Sequence, residues 1–401
     1  MGGLMIVGAG QAGAALAAKA RSLGYGGKIT MFGAENSAPY QRPPLSKAYL
    51  LGEMEAERLW LRAPSFYVEN DITLHLGQEV TRIDPAAKTI RAAGETLAYD
   101  HLALTTGAMP RRLPASIGGD LAGVYTVRNL ADVDAMRGQF VAGRRLVIIG
   151  GGYIGLEAAA VARKLGLNVH LIEMAPRILQ RVAAPETAAY IAALHRAQGV
   201  QILEGTALAR ILGTDSATGV QLSDGREIAA DFILVGVGVM PSSALAEAAG
   251  LALDNGIATD TFGRTSAPHI WAAGDCASFP YQGGRIRLES VGNAIDQGEV
   301  VASNIMGSNL PYLARPWFWS DQYDLKLQIA GLNTGYDATI TRGGEGGAMS
   351  VWYFRADHLL AVDAMNDPRA YMVGKRLIEA GLSPAKSALA DMSVALKDLL
   401  T

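Results

Sequence analysis

Short apolar runs alternate along the chain with glycine loops and alanine-rich segments, and this pattern sets the predicted secondary structure. The runs Leu4–Val7 and Leu146–Ile149 each predict a strand that enters a glycine turn and then an alanine-rich helix. After about residue 315 the pattern of apolar and polar residues predicts a different, α+β arrangement. The stretches that indicate this are LKLQIAGL, MSVWYF and HLLAVDAM for strands and DPRAYMVGKRLIEAG for a helix.

The two glycine turns belong to an internal repeat. The segment IVGAGQAGAALAAKARSLG (6–24) aligns without gaps with IIGGGYIGLEAAAVARKLG (148–166), and the three motif glycines coincide. A second match pairs YDHLALTTGAMP (99–110) with ADFILVGVGVMP (230–241). A lone GxGxxG is weak evidence, but two copies between apolar strands and helices are typical of dinucleotide binding. We therefore predict two βαβ-containing units, each closing with a strand and a Gly-Pro turn.

The glycine turns are the first candidate binding sites. In such a turn the backbone must approach a pyrophosphate at a helix N-terminus, and the third glycine lets the helix pack close to its strand. A glycine turn that binds nothing is the alternative interpretation. The candidates are Gly8, Gly10, Ala12 and Gly13 in the first copy and Gly150, Gly152, Tyr153, Ile154 and Gly155 in the second.

The second strand of each unit is expected to end in an acid that binds the adenosine ribose. Glu35 is the candidate in the first copy, slightly late in ITMFGAE, and a solvated loop acid is the alternative there. Glu173 in VHLIEMA is the candidate in the second copy. Its carboxylate would repel a 2′-phosphate and so favours NADH over NADPH, although Arg177 and Arg181 lie just downstream and could attract that phosphate.

Composition narrows the class of protein. Half of the 401 residues are hydrophobic and 18% are charged, which suits about two or three domains with large cores. The net charge of −3 gives no global argument for nucleic acid or an anionic membrane. Cys276 is the single cysteine, so no internal disulfide or CxxC pair can form, and we interpret it as a small buried residue. The six histidines show no ligand spacing, so no metal site is predicted.

The expected location is cytoplasmic and soluble. The apolar start of the chain lacks the basic leading region of a signal peptide, and its glycines fall at motif spacing. No apolar run reaches the ~18 residues of a membrane span. A single cysteine also fits a reducing compartment.

A further segment, IWAAGDCASF, resembles a known pattern. Together with the first glycine turn it is similar to the FAD-binding pattern of the two-dinucleotide-binding-domain flavoproteins, the glutathione-reductase-like superfamily. That resemblance implies that Asp275 binds a ribityl or phosphate oxygen of FAD. A helix N-cap following a strand is the alternative interpretation of Asp275.

Within that superfamily the stretch RPPLSK (42–47) stands where disulfide reductases carry a cysteine pair and NADH oxidases a single reactive cysteine. With GGGYIGLE, AAGDC, ESVGNAIDQ and PWFWSDQY it resembles the NADH-dependent ferredoxin reductases of the putidaredoxin reductase and aromatic-ring dioxygenase reductase type. This implies that NADH reduces FAD and that a [2Fe-2S] ferredoxin, the partner of a cytochrome P450 or ring-hydroxylating oxygenase, accepts the electrons. The rigid Pro43-Pro44 elbow would then form a wall beside the flavin ring.

The same resemblance implies roles for single residues. Lys47 and Glu157 would meet beside the flavin N5, where an ammonium steadies incoming negative charge, and Trp319 would lie at the flavin edge. Without the resemblance, two unrelated surface charges and a core tryptophan are the alternatives. Further FAD candidates are Arg42, Pro43, Val80, Thr106, Gly107, Arg128 and Val291, the last at a helix N-terminus; further NADH candidates are Arg181, Gly236, Gly238 and Glu289.

The predicted fold class is α/β, with two Rossmann-like domains and a C-terminal α+β domain. We expect an FAD-binding domain from residues 1–110 and 240–314, an NADH-binding domain from 111–239 and a C-terminal domain from 315–401. The rival functions are an NADH oxidase or a quinone or radical reductase, and a redox-sensing flavoprotein of the apoptosis-inducing-factor type. Guessed docking residues for an acidic ferredoxin are Arg285, Arg287, Arg315 and Lys326.

Overall fold

The structure is a computed structural model and describes residues 2–400. They divide into two compact units. Unit one comprises the described residues up to 42, together with 55–109 and 239–316; unit two comprises 43–54, 110–238 and the described residues from 317 onward.

The strands, in chain order, are β1 (Leu4–Val7), β2 (Ile29–Gly33), β3 (Ile72–Leu76), β4 (Val80–Asp84), β5 (Thr89–Ala92), β6 (Glu95–Ala98), β7 (His101–Leu104), β8 (Ala108–Pro110), β9 (Val124–Tyr125), β10 (Arg145–Ile149), β11 (Asn168–Ile172), β12 (Gln201–Leu203), β13 (Leu208–Gly213), β14 (Ala217–Leu222), β15 (Glu227–Ala229), β16 (Phe232–Val235), β17 (Val239–Pro241), β18 (Ile257–Ala258), β19 (Ile270–Ala272), β20 (Ala277–Tyr281), β21 (Gly284–Ile286), β22 (Trp317–Gln322), β23 (Leu325–Gly331), β24 (Ala338–Gly343), β25 (Met349–Arg355) and β26 (His358–Met365).

The α-helices, in chain order, are α1 (Gln11–Ser22), α2 (Pro64–Glu69), α3 (Leu130–Arg137), α4 (Tyr153–Lys164), α5 (Pro185–Ala197), α6 (Ala244–Ala248), α7 (Val291–Ile305), α8 (Pro368–Ala380) and α9 (Lys386–Ala390).

Unit one is built on a parallel sheet in the order β19-β7-β1-β2-β3. All four residues of the central strand β1 are buried, two against each of two core clusters, which is why this strand is continuously apolar. Helix α1 packs against α7. Since the parallel strands all end at one edge, the loops after β1, β2, β7 and β19 lie together there, where such sheets bind ligands.

Unit two contains a second parallel sheet in the order β12-β11-β10-β16-β9. Its strands β10, β11 and β16 occupy the places that β1, β2 and β7 have in the first sheet, so the predicted repeat is confirmed as two copies of one topology. The predicted Gly-Pro turns are wrong in one detail. Gly107 and Gly238 make the turns, with φ of +71° and +97°, whereas Pro110 and Pro241 end the short paired strands β8 and β17.

The C-terminal part of unit two is an antiparallel sheet in the order β22-β23-β26-β25-β24. Helix α8 covers it and packs Leu377 into a core with Trp352, Phe354 and Val362. The predicted strands and helix of this α+β region are confirmed. Together with the two parallel sheets they confirm the predicted α/β fold.

A buried carboxyl group lies in the core of unit two. Asp363 on β26 is 1% exposed and accepts hydrogen bonds from Tyr353 and, at 2.8 Å, from the hydroxyl of Thr187 on α5. Burial raises the pKa of Asp363 from 3.8 to about 6, against the opposing effect of these two hydrogen bonds. The folded pKa of Asp363 lies above the unfolded one. The contribution of this group to the free energy of unfolding is therefore fully present below pH 3.8 and is lost as the pH rises through 6.

We therefore expect Asp363→Asn to flatten the pH dependence of stability. Between pH 4 and 7.5 the wild type should lose about 2 kcal/mol of unfolding free energy relative to the variant, as an upper bound from the shift of the pKa. Urea denaturation with excess FAD at both pH values measures this. Asp321→Asn removes an exposed charge from the same sheet and is the control. An equal difference between variant and wild type at both pH values would contradict the prediction.

Candidate functional site

The first glycine of each predicted motif is required by close backbone packing. Gly8 and Gly150 have φ of +118° and +106°. A Cβ on Gly8 would lie 2.1 Å from the carbonyl oxygen of Thr105, and one on Gly150 would lie 2.4 Å from that of Gly236. Both glycine turns therefore press against the loop that follows the neighbouring strand of the sheet.

In both units the third glycine of the motif has no room for a side chain, whereas the second glycine has. A Cβ on Gly13 would lie 2.2 Å from the carbonyl oxygen of Gly8, and one on Gly155 2.4 Å from that of Gly150. By contrast, a Cβ on Gly10 or Gly152 meets nothing within 4 Å. The third glycine is thus fixed by helix packing, whereas the second borders open space that a side chain would fill.

These open positions fit a bound pyrophosphate. Gly10 and Gly152 are the N-caps of α1 and α4, neither helix has a side-chain cap, and neither has an acidic residue in its first turn. The N-terminal N–H groups and the positive end of the helix dipole are thus left for an anion. The large apolar side chain of Ile154, in the first turn of α4, is 41% exposed beside this position.

Glu35 follows β2 by two residues and forms a cluster with nearby side chains. Its carboxylate pairs with the guanidinium of Arg42 at 2.5 Å and accepts a hydrogen bond from the hydroxyl of Tyr40 at 2.5 Å. Glu35 is thus a half-buried, paired acid in the loop after β2, and its contact with the ribose stays a prediction. The cluster brings two predicted FAD residues together in unit one.

Asp275 lies in the loop between β19 and β20, so it caps no helix and the N-cap alternative is wrong. The preceding Gly274 has φ of +81°, and a Cβ there would lie 2.9 Å from that of Ala12. The loop that carries Asp275 is therefore packed directly on the start of α1. The next residue in this loop, Cys276, is fully buried, as predicted for a small core residue. Burial raises the pKa of the Cys276 thiol.

Helix α7 begins at Val291, as predicted, but its first turn is partly capped. Ser290 accepts a hydrogen bond from the N–H of Asn293, so this N–H is not directed at a ligand. Glu289, just before the cap, pairs with Arg287 at 2.5 Å. The side chain of Arg287 is only 9% exposed, which argues against its use as a docking residue.

In unit two, Glu173 directly follows β11 and binds the second glycine turn. Its carboxylate accepts hydrogen bonds from the N–H of Gly151 at 2.8 Å and of Ala175 at 2.7 Å. The negative charge is thus fixed beside the open space at Gly152. Arg181 approaches Gly238, with 3.6 Å from its guanidinium nitrogen to a Cβ built there, so two predicted NADH residues lie together.

The proline elbow forms a 3₁₀ helix over Pro43–Ser46 and directs two side chains to one carboxylate. The ammonium of Lys47 lies 2.7 Å from one oxygen of Glu157, and the hydroxyl of Ser46 donates to the same oxygen at 2.6 Å. Ser320 donates to the other oxygen at 2.7 Å. The side chain of Glu157 is 5% exposed, so the alternative of two unrelated surface charges is wrong.

Trp319 lies on β22, next to Ser320, and stacks on Trp317 with ring centroids 5.4 Å apart. Both rings are half-buried, and the place of Trp319 at the flavin edge stays a prediction. The other predicted FAD residues have these contacts and positions. Thr106 donates to the carbonyl of Ser242, Val80 is buried at the start of β4, and Arg128 precedes the capping box of α3.

Sequence reasoning missed the two serines that bind Glu157. Ser46 lies inside the elbow beside Lys47, and that adjacency was a usable signal. Ser320 carries none, because its contact with α4 arises only when β22 packs against that helix.

No helix within residues 2–400 is long and apolar enough to cross a membrane. In the same described part of the chain, no three His, Cys, Asp or Glu side chains are grouped so that they could hold a metal ion.

Two parallel dinucleotide sheets, each with an open glycine turn, define a flavoprotein oxidoreductase of the two-dinucleotide-binding-domain class. Residues 3–298 match the pyridine nucleotide-disulphide oxidoreductase family, and residues 317–400 match the reductase C-terminal family. The chain belongs to the pyridine nucleotide-disulphide oxidoreductase family and is an oxidoreductase that uses FAD and NAD(P)H. The family resemblance inferred from the sequence is thereby confirmed.

The chain is similar over its whole length to ferredoxin reductases. It is 44% identical to a ferredoxin–NAD(P)+ reductase of Sphingomonas sp., covering 94% of this chain and 92% of that one. Rhodocoxin reductase of Rhodococcus erythropolis is 40% identical over 98% of this chain and 93% of its own. The structure of the covalent putidaredoxin reductase–putidaredoxin complex matches with a TM-score of 0.96 and 40% identity, over 100% and 98% of the two chains.

Proposed function

We propose that this protein takes electrons from NADH and passes them through FAD to a [2Fe-2S] ferredoxin, which supplies a cytochrome P450 or a ring-hydroxylating oxygenase. The observation that carries the proposal is the buried Lys47–Glu157 pair at the place where disulfide reductases have their thiols. The one cysteine, Cys276, is fully buried and cannot relay electrons as a thiol pair.

The proposal assigns FAD to residues 1–110 and 240–314 and NADH to residues 111–239, with 315–401 as a separate domain. The N-terminus of α1 would hold the FAD pyrophosphate and that of α4 the NADH pyrophosphate. Bound FAD would supply the conversion between a two-electron donor and a one-electron acceptor. Glu157 holds the ammonium of Lys47 in a desolvated position, where it would favour negative charge arriving on the flavin.

The decisive experiment mixes the purified protein anaerobically with NADH, a [2Fe-2S] ferredoxin and cytochrome c. We expect bleaching of the flavin by NADH, and cytochrome c reduction that depends strongly on the ferredoxin. If the flavin bleaches but ferredoxin makes no difference, the partner is wrong. Fast turnover with dioxygen or a quinone would then favour the oxidase or reductase alternative. Nucleotide-dependent dimerisation with negligible turnover would favour the redox sensor.

Docking of an acidic ferredoxin should depend on exposed cations. Arg285, Arg315 and Lys326 are exposed. Arg315 and Lys326 remain proposed docking residues, whereas the guanidinium of Arg285 is bonded to the carbonyls of Thr259 and Ser278. The rate of ferredoxin reduction should therefore fall as ionic strength rises.

A cytoplasmic location is part of the proposal and rests on the single cysteine and the reducing compartment it suits.

The coenzyme preference should depend on Glu173. We expect Glu173→Gln to raise kcat/KM for NADPH relative to NADH by about tenfold or more, because a carboxylate beside the 2′-phosphate costs several kcal/mol. Glu204→Gln is the matched control, since Glu204 also accepts a backbone N–H, from Ile178, but does not contact the glycine turn. Steady-state kinetics with both coenzymes measure the ratio. An unchanged ratio would show that Glu173 does not face the ribose.

A further inference from the structure

A row of buried polar side chains leads from Glu157 into the interior of unit two. Ser320 and Gln322 are two residues apart on β22, so they point to the same face of the strand. The amide nitrogen of Gln322 lies 3.0 Å from the hydroxyl of Ser320, and its amide oxygen lies 2.8 Å from Nε2 of His195 on α5. Nδ1 of His195 lies 3.2 Å from the hydroxyl of Tyr323.

The chemistry of the carboxylate fixes the direction of every bond in this row. A carboxylate only accepts hydrogen bonds, so the single hydroxyl proton of Ser320 is donated to Glu157. The oxygen of Ser320 must then accept from Gln322, whose amide nitrogen faces it, and the amide oxygen of Gln322 faces His195. Nε2 of His195 must therefore carry a proton.

The remaining bond completes the row. With Nε2 protonated, Nδ1 of the neutral ring accepts from the hydroxyl of Tyr323. Burial lowers the pKa of His195, although its hydrogen bond to Gln322 opposes this, and burial raises the pKa of Tyr323. A neutral imidazole and a protonated phenol are the two states that this direction requires.

We propose that His195 is a positioning residue that acts through Gln322 and Ser320 to hold the carboxylate of Glu157 aimed at Lys47. Each donor in the row points toward Glu157, and aligned hydrogen bonds in a low-dielectric interior strengthen one another. Ser320, Gln322 and His195 are each no more than 1% exposed, so no solvent competes for these bonds. The inference rests on the proposed role of Lys47 and Glu157 in reduction of the flavin by NADH.

The row is more than satisfaction of buried polar groups. Where only packing is required, apolar residues of similar volume serve as well or better than a buried polar network. Here a histidine and a glutamine from two different elements are ordered behind one oxygen of Glu157. The other oxygen of the same carboxylate is left for Ser46 and Lys47.

The test uses a matched pair of substitutions. His195→Gln places an amide N–H where Nε2 donates, whereas His195→Leu has a comparable volume and no donor. In stopped-flow reduction of the holoenzyme by NADH, without ferredoxin, we expect His195→Leu to lower the limiting rate about tenfold, the effect of leaving one buried hydrogen-bonding group without its partner. The Kd for NADH should stay unchanged, and His195→Gln should restore most of the rate. Ser320→Ala, which removes the last donor with little change in volume, should behave like His195→Leu.

A spectroscopic readout independent of turnover accompanies these rates. In ¹⁵N NMR of histidine-labelled holoenzyme, with the His195 signal assigned by its loss in His195→Gln, we expect the neutral tautomer protonated at Nε2. A tautomer protonated at Nδ1, equal rates for the Gln and Leu variants, or a wild-type rate in Ser320→Ala would each overturn the inference. If ferredoxin proves not to be the acceptor, these measurements keep their meaning, because they concern only the step from NADH.

Discussion

An aspartate at Gly10 should prevent FAD binding and leave the NADH site intact, and an aspartate at Gly152 should leave FAD bound and strongly weaken NADH binding. Both glycines are N-caps with φ of −106° and −83°, which any residue adopts, and a Cβ on either meets nothing within 4 Å. Aspartate is itself a favourable N-cap, so neither substitution should disturb the fold. Its carboxylate would take up the helix N–H groups and repel the pyrophosphate.

The expected effects are large and separable. Gly10→Asp should purify as a folded protein with little FAD. Gly152→Asp should keep its FAD but bind NADH about 1,000-fold more weakly, since like charges placed together cost several kcal/mol. The ratio of flavin to protein and the Kd for NADH from absorbance titration measure the two outcomes.

Asparagine at the same positions is the control for charge. It caps a helix as well as aspartate and fills nearly the same space without the charge, so the difference in cofactor binding between each asparagine variant and its aspartate counterpart isolates the electrostatic effect. If both aspartate variants lost the same cofactor, or if neither lost one, the assignment of one dinucleotide to each glycine turn would be wrong.

Replacing Lys47 with methionine should slow reduction of the flavin by NADH about 100-fold, the usual effect of removing one preorganised electrostatic group. The ammonium is 2.7 Å from Glu157 and its side chain is 19% exposed, so little solvent screens it. The Kd for NADH should change little, because Lys47 lies in the elbow and not in the glycine turn. Anaerobic stopped-flow measurement of the limiting rate tests this.

The chain offers a matched control in another lysine–glutamate pair. Lys164 and Glu53 lie 2.6 Å apart, but their side chains are 58% and 53% exposed, so Lys164→Met should leave the limiting rate unchanged. The single variant Lys47→Met leaves the carboxylate of Glu157 buried without its ammonium. The double variant Lys47→Met with Glu157→Gln removes that charge as well, so it controls for this side effect. A limiting rate in Lys47→Met equal to that of the wild type would exclude a role for the ammonium in this step.

The sequence predicted the glycine turns because their causes are local. Gly8 and Gly150 need positive φ, and Gly13 and Gly155 need a missing Cβ, so these requirements leave a fixed spacing in the chain. The strands predicted after residue 315 were found for the same reason, since each segment is mostly apolar and of typical strand length.

Interpretations of single polar residues were less secure. The sequence left open a solvated Glu35 and an Asp275 that caps a helix; the structure pairs Glu35 with Arg42 and shows no helix directly after Asp275. It also placed Val291 at a helix N-terminus that would face FAD, whereas Ser290 accepts one N–H of that turn, the N–H of Asn293. Each of these depends on a partner several residues away, whose orientation no short-range pattern encodes.

By itself the sequence determined the class of this protein: two dinucleotide-binding repeats, a C-terminal α+β domain and a thiol-free elbow around Lys47. Only the tertiary structure decided what surrounds Glu157. Its partners come from residues 46, 47 and 320, and the row behind Ser320 continues through Gln322 to His195. Backbone geometry leaves a periodic trace in the chain, whereas contacts between distant elements leave none, because they arise only when those elements pack.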